Sequence, residues 1–395
     1  MTRIGIPAHG FQDWAGGVDF LFTVVDGLRA AAPGAELHLL VPQARPVRGW
    51  KRLKSTLRRM LGGGTRRDRS AAPLDCSAVA ALCDVVHSIP PGPDAVAEAS
   101  GRLRLDAVLP SHGILPAGMP CPWVGYLYDF QHRHLPQLFT EREIRKRDEA
   151  FAGMIDAAPA VVVNSRDTAA EARSLYPHAA DRIHALPFNA SPRPEWLDDA
   201  ADAQGPAVAG PYFIVSNQFW VHKDHATAFR AFARVAAGQP DLRLVCTGQT
   251  SDYRRPEYFG TLVELLDSLG VRDRVIITGL VPKAEQIQLV KGAVAVVQPT
   301  LCEGGPGGGA VYDAVSLGIR SIISDIPINR ELADEPTVSF FAVGDAESLA
   351  AGMTQALRGT PIPVAAEALR VRGRDRRTAA GRTILEVVGG LRAAG

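Results

Sequence analysis

The sequence predicts an α/β protein built from two doubly wound, Rossmann-like domains. Three observations predict it. Short β-branched apolar runs alternate with longer stretches of helical spacing along the chain. The alternation stops once, in a proline-rich acidic stretch, and then restarts. The 395 residues give room for two or three domains at roughly 100–200 residues each. Buried runs of this kind, alternating with helices, belong to parallel sheets covered on both faces.

In chain order, strands are expected at residues 4–7, 37–41, 84–89, 107–110, 123–127, 160–164 and 182–187, each a short run rich in Val, Ile and Leu. Helices are expected at 17–31, 141–157 and 166–176, where apolar residues recur at three- and four-residue steps. The stretch SPRPEWLDDAADAQGPAVAGP (191–211) has no sustained periodicity, so the first domain is set at 1–195 and the linker at 196–211. The second domain, 212–379, reads as strand 212–216, helix 222–237, strand 242–247, helix 256–269, strand 274–278, helix 283–291, strand 293–298, helix 308–317, strand 320–324 and helix 346–357. A last helix, about 380–395, is expected to pack back on the first domain.

Composition narrows the function. Lys plus Arg number 43 and Asp plus Glu 42, a net charge of +1 that argues against a nucleic-acid-binding protein and against a disordered one. The five cysteines form no C-x-x-C pair, which disfavours a disulfide scaffold or a thiolate zinc site and fits a reducing cytoplasm. The start MTRIGIPAHG lacks the apolar core of a signal peptide, and no apolar run is long enough to span a bilayer. No G-x-x-x-x-G-K-[ST], G-x-S-x-G, H-E-x-x-H or D-x-D occurs, and no G-x-G-x-x-G follows a strand.

What remains is glycine at strand ends beside isolated charges, in three places. Gly16-Gly17 lies between the first strand and its helix, where backbone N–H groups can approach an anion or the pair can simply turn the chain. Lys223 is expected in the first turn of the helix after strand 212–216, against the dipole at a cost of about 0.3–1 kcal/mol, which points to an anionic partner. The third place is PTLCEGGPGGGAVYDA (299–314), where Gly304, Gly305, Gly307, Gly308 and Gly309 leave room for a ligand at a helix N-terminus flanked by Glu303 and Asp313. A merely mobile loop with a solvated Glu303 is the alternative.

Residues 45–70 carry ten basic residues and one acid, with Trp50, Leu53, Leu57, Met60 and Leu61 at i, i+3, i+7, i+10 and i+11. A basic amphipathic helix on an anionic membrane has this pattern. A helix docked on its own domain and a solvated loop ending at Gly62–Gly64 are the other two readings.

With these residues, the chain resembles glycosyltransferase family 4, of GT-B fold, over nearly its whole length, which implies that the two domains face each other across a cleft. The likeness rests on Gly16-Gly17, the segment YDFQHRHLP (128–136), VVVNS (161–165), Lys223, the glycine-rich loop and DIPINRE (325–331). The resemblance implies that Lys223 contacts the donor diphosphate, that Glu303 lies beside the donor sugar, that Asp313 binds the ribose, and that Gly16 and Gly17 face the donor across the cleft. It also implies a retaining, metal-independent transfer from a nucleoside-diphosphate sugar to an acceptor hydroxyl, with no cofactor. Asp129 and His132 are the acceptor-side candidates, and a packing or capping role for each stays open. The basic segment suggests a glycan or lipid-linked acceptor at the inner membrane face, and a role in cell-surface glycan assembly.

Three features depart from the family pattern. Nine residues separate Glu303 from Asp313 where the family has seven, Gln218 stands where an arginine usually holds the diphosphate, and Tyr128 replaces a histidine. An arginine makes bidentate charge-assisted contacts that a neutral amide does not. His222, His225, Arg254 and Arg255 are the residues at hand to compensate. A GT-B epimerase and a non-catalytic nucleotide-sugar-binding protein are the two competing readings.

Overall fold

The computed structural model describes residues 2–43, 75–197, 208–359 and 364–394. The basic segment 45–70 lies outside the described residues, and so does most of the linker.

The first domain is a seven-stranded parallel sheet, β1 (Arg3–Pro7), β2 (Glu36–Pro42), β3 (Val85–Ile89), β4 (Ala107–Ser111), β5 (Trp123–Tyr126), β6 (Ala160–Val163) and β7 (Ile183–Ala185), in the order β3-β2-β1-β4-β5-β6-β7. Ile4 pairs with Leu37 on one side and Ala107 on the other. Helices α1 (Ala15–Ala31), α2 (Pro93–Leu103), α3 (Glu141–Ala157) and α4 (Arg166–Leu175) cover the two faces. Ile4, Ile6, Leu37, Leu39, Val108 and Val161 are buried, as strands with helices on both sides require.

The second domain holds six parallel strands, β8 (Tyr212–Ser216), β9 (Arg243–Thr247), β10 (Val275–Gly279), β11 (Ala295–Gln298), β12 (Ser321–Ser324) and β13 (Val338–Phe341), in the order β10-β9-β8-β11-β12-β13. Its helices are α5 (His225–Ala236), α6 (Tyr258–Ser268), α7 (Lys283–Lys291), α8 (Gly308–Ser316) and α9 (Ala346–Arg358). In each sheet the strand order reverses next to the first strand, between β1 and β4 and between β8 and β11. Loops at the carboxyl ends of those strands splay apart and leave a crevice, so both sheets aim their ligand-binding edge from these points.

Three elements differ from the sequence reading. Strand β13 and helix α2 were not expected: β13 is a half-exposed edge strand without a continuous apolar run, and α2 carries few large apolar residues. The final helix, α10, spans Ala366–Ala394 and begins well before residue 380. It returns to the first domain, where Ile384, Val387 and Val388 join the core under α1. Gly27 of α1 and Gly381 of α10 face each other so closely that a Cβ on Gly381 would stand 2.0 Å from the Gly27 carbonyl oxygen. Arg377 of α10 donates to both carboxylate oxygens of Asp26, at 2.9 and 3.1 Å. Among the described residues no helix is long and apolar enough to cross a membrane.

Candidate active site

The carboxyl edge of the second sheet gathers the expected residues. After β8 the chain passes Asn217 and Gln218, makes a short 3-10 turn at Val221–Lys223, and only then enters α5. Lys223 therefore precedes the helix and does not sit in its first turn. The reason is Asp224, left-handed at φ 45°, which caps α5 by accepting from the Thr227 amide at 3.3 Å and hydroxyl at 2.6 Å. The freed ammonium of Lys223 turns back over the sheet and pairs with the Glu303 carboxylate, both side chains being about nine-tenths buried. Gln298, at the end of β11, donates to the same Glu303 oxygen at 3.0 Å and is itself held by the Asn217 amide. The Leu301 amide donates to the His222 carbonyl at 2.8 Å, tying the two loops together.

The glycine-rich loop is shaped by what surrounds it. A Cβ on Gly304 would lie 1.8 Å from the carbonyl oxygen of Tyr128 in the first domain, and one on Gly305 would lie 3.3 Å from Asn164. The Gly307 amide donates to Asn329 at 2.7 Å, and Asn329, fully buried, donates in turn to the Ser324 carbonyl at 2.8 Å. Gly308 opens α8 at φ 65°, and a side chain there would come within 3.0 Å of the Glu303 carboxylate. The start of α8 is thus aimed at Glu303, and its orphan N–H groups are oriented for negative charge. Asp313 lies on the buried face of α8, where its Oδ2 accepts from Lys283 at 2.6 Å and from Gln286 at 3.2 Å. Burial pushes its carboxyl up, against the pull of Lys283.

Gln218 is half-buried at the end of β8, and its carbonyl accepts from the Trp220 amide at 2.8 Å. His222 is buried with Nδ1 unpartnered, and burial with the nearby charges of Lys223, Arg254 and Arg147 drives its pKa well below the ordinary value. His225 is a core residue, stacked on Phe219 at 4.1 Å, with its pKa pushed down to about 3 by burial and by Lys223. Arg254 reaches the first domain, donating to Gln131 at 3.1 Å with its guanidinium 4.8 Å over the Phe139 ring. Arg255 donates to the Gln137 carbonyl at 3.2 Å.

Across the cleft, Gly16 and Gly17 form the first turn of α1 under the indole of Trp14. Asp129 accepts from the Gln131 amide at 3.0 Å and from Arg147 at 3.2 Å. His132 is fully buried among Phe130, Phe139 and Phe151, with Nε2 on Asp148 at 2.9 Å, and burial lowers its pKa. The structure brings Lys223, Glu303, Gly304, Gly308 and Asp129 to one place, whereas Asp313 faces α7 and His132 faces the core. Arg147 belongs to this place and carried no sequence signal, being one of several basic residues on a strongly charged helix. Asn329 also belongs here; it lay within the segment DIPINRE, but nothing in the sequence gave it a role of its own.

Two doubly wound sheets meeting at a glycine-rich loop, with a buried lysine–glutamate pair at the switch point, make up a GT-B fold. Residues 199–374, most of the second domain, match the family model of glycosyl transferases group 1. Among solved structures it is similar to Anabaena HepE in complex with UDP and glucose, at TM-score 0.64 and 14% identity over 99% of this chain and 100% of that one. It is similar also to sucrose-phosphate synthase from Thermosynechococcus elongatus, at 0.63 and 15% over 100% of both chains. A third is WaaG, a glycosyltransferase involved in lipopolysaccharide biosynthesis, at 0.56 and 13% over 97% of this chain and 95% of that one. At these identities the likeness is one of fold. No curated protein matches the chain in sequence.

Proposed function

We propose that the protein moves a sugar from a nucleoside-diphosphate sugar to an acceptor hydroxyl with retention of configuration, and without a metal ion. The observation that carries this is the buried Lys223–Glu303 pair at the carboxyl ends of β8 and β11, facing the start of α8 and the first domain together. As the bond from the anomeric carbon to the diphosphate breaks, the leaving phosphate gains negative charge. Lys223 and the amides opening α8 are the groups that stabilise it, preorganised where water is excluded. The acceptor oxygen attacks from the face the phosphate leaves, and its proton passes to a phosphate oxygen. Glu303 orients the donor sugar, and Asp129, held by Arg147, receives the acceptor side.

A nucleoside diphosphate as donor group agrees with the UDP bound by HepE. With Gln218 in place of an arginine, Arg254, which sits at the cleft with its guanidinium on Gln131 and Asp252, is the second cation we assign to the diphosphate. Asp313 is committed to Lys283 and Gln286, so in this reading it braces α7 against α8. Cell-surface glycan or glycolipid assembly at a membrane face rests on the basic segment 45–70 alone. Flotation with anionic liposomes tests it, and binding that ignores lipid charge removes it.

The function is tested by thermal shift with UDP, GDP, ADP, dTDP and CMP on wild type and Lys223→Ala. A ligand at 100 times its Kd adds about 2.7 kcal/mol. One diphosphate is expected to stabilise the wild type and leave the variant unmoved. No shift with any of them overturns the donor site. Product analysis with the stabilising diphosphate's sugars then separates transfer from epimerisation, which needs no acceptor.

A further inference from the structure

Three aromatic side chains stand at the carboxyl ends of adjacent strands in the first domain: Trp14 after β1, His112 after β4 and Tyr128 after β5. His112 and Tyr128 lie parallel, 5.9 Å apart with 3° between their planes, and the Trp14 ring is 6.2 Å from that of Tyr128. All three are half-buried and stand at the switch point of the sheet.

Their placement is built in. A Cβ on Gly16 would come 2.6 Å from the Trp14 ring, and one on Gly17 would come 2.6 Å from its Nε1, so the glycine pair makes a seat for the indole. A Cβ on Gly10, likewise, would come 2.7 Å from His112. Arg147 lies 5.2 Å over the Tyr128 ring. Beside His112 a cavity of about 150 Å³ is lined by Pro7, His9, Ser111, Gly113, Ile114 and Leu115. On the opposite side, the Tyr128 carbonyl and Asp129 touch Gly304, the residue next to Glu303.

Flat aromatic faces edged by fixed polar groups suit one chemical class well. A pyranose ring presents an apolar C–H face to stack and an equatorial rim of hydroxyls to hydrogen-bond. A lipid alcohol has no ring face to stack, and a peptide hydroxyl has no such rim. We propose that Trp14, His112 and Tyr128 form a platform for a pyranose ring of the acceptor, which makes the acceptor a saccharide. The proposal rests on the transferase reading for the word acceptor, and on the aromatic geometry for the saccharide.

The test is fluorine NMR on protein labelled with 5-fluorotryptophan, whose five resonances include that of Trp14, assigned by its loss in Trp14→Phe. Methyl α- and β-pyranosides of glucose, galactose, mannose and N-acetylglucosamine are titrated, with and without the stabilising diphosphate. Sorbitol, which has the hydroxyls without the ring, is the control. At least one pyranoside is expected to move the Trp14 resonance while sorbitol does not. Trp14→Ala and Tyr128→Ala are expected to weaken that saccharide about tenfold or more by saturation-transfer NMR, whereas Tyr128→Phe retains it. If no pyranoside moves Trp14, if sorbitol moves it equally, or if the alanine variants bind unchanged, the platform is overturned. A diphosphate thermal shift read on the same samples keeps the two ideas apart. A saccharide response without a diphosphate response leaves the platform standing and removes the transferase reading, and the reverse removes the platform.

Discussion

At the scale of single residues, the Lys223–Glu303 pair is the centre of the site, and its burial sets its energetics. Removing one partner from a buried pair leaves an uncompensated charge and costs about 3–5 kcal/mol, whereas removing both costs far less. Lys223→Met is therefore expected to lower the urea midpoint more than Lys223→Met/Glu303→Gln does, and both are expected to abolish transfer. Gly304 tests the other half of the site. With the Tyr128 carbonyl 1.8 Å from where a methyl would sit, Gly304→Ala must push the loop away from the first domain. A displacement of about 1 Å costs about a hundredfold in rate, so kcat/KM is expected to fall by that order, and the overpacked contact is expected to lower the melting temperature as well. His225 supplies a pH dependence. Its folded pKa is depressed to about 3 from an ordinary 6.5, so between those values the unfolded chain binds the extra proton. The stability from this residue is fully present above pH about 6.5 and is lost as pH falls towards about 3, at up to about 1.4 kcal/mol per pH unit. His225→Phe, which keeps the stack on Phe219, is expected to flatten that slope in acid denaturation followed by circular dichroism.

At the scale of elements, the crossing of α1 and α10 fastens the end of the chain to its beginning. The backbones touch at Gly27 and Gly381, and the Asp26–Arg377 pair locks the angle. A larger residue at Gly381 overpacks this crossing, so Gly381→Val is expected to cost about 1–3 kcal/mol in urea unfolding. Helix α8 shows a different device. Its Gly308 start has no side-chain cap, and the loop before it is fixed instead from Asn329, through the Gly307 amide. The approach to the α8 N-terminus is thereby held rigid.

At the scale of the whole molecule, the two domains meet along one seam. Gly304 lies on Tyr128, Arg254 on Gln131 and Phe139, Arg255 on the Gln137 carbonyl, and Glu331 accepts from the Asp167 amide at 2.9 Å. In the proposed reaction, closing such a seam excludes water from the donor, which is what a transferase needs to avoid hydrolysis. Arg254→Ala removes both a charge-assisted hydrogen bond and a cation on the cleft. It is expected to raise the donor KM about tenfold and to enlarge the radius of gyration measured by small-angle scattering.

The strand–helix alternation and the restart at residue 212 made two doubly wound domains legible in the sequence, because burial on both faces leaves a run of apolar residues that needs no partner to be recognised. Lys223, Glu303 and the glycine run were legible as candidates for a similar reason: unusual residues at the end of a strand are local facts. What the tertiary structure alone decided is who meets whom. Asp313 finds Lys283 thirty positions away, His132 turns to Asp148 in the core, and Arg147 and Arg254 approach one histidine from opposite domains. Trp14 likewise carries no signal of its own in the sequence, and only the tertiary structure sets its ring against Tyr128. Those meetings depend on how two sheets are set against each other, a relation between distant segments that no local spacing encodes.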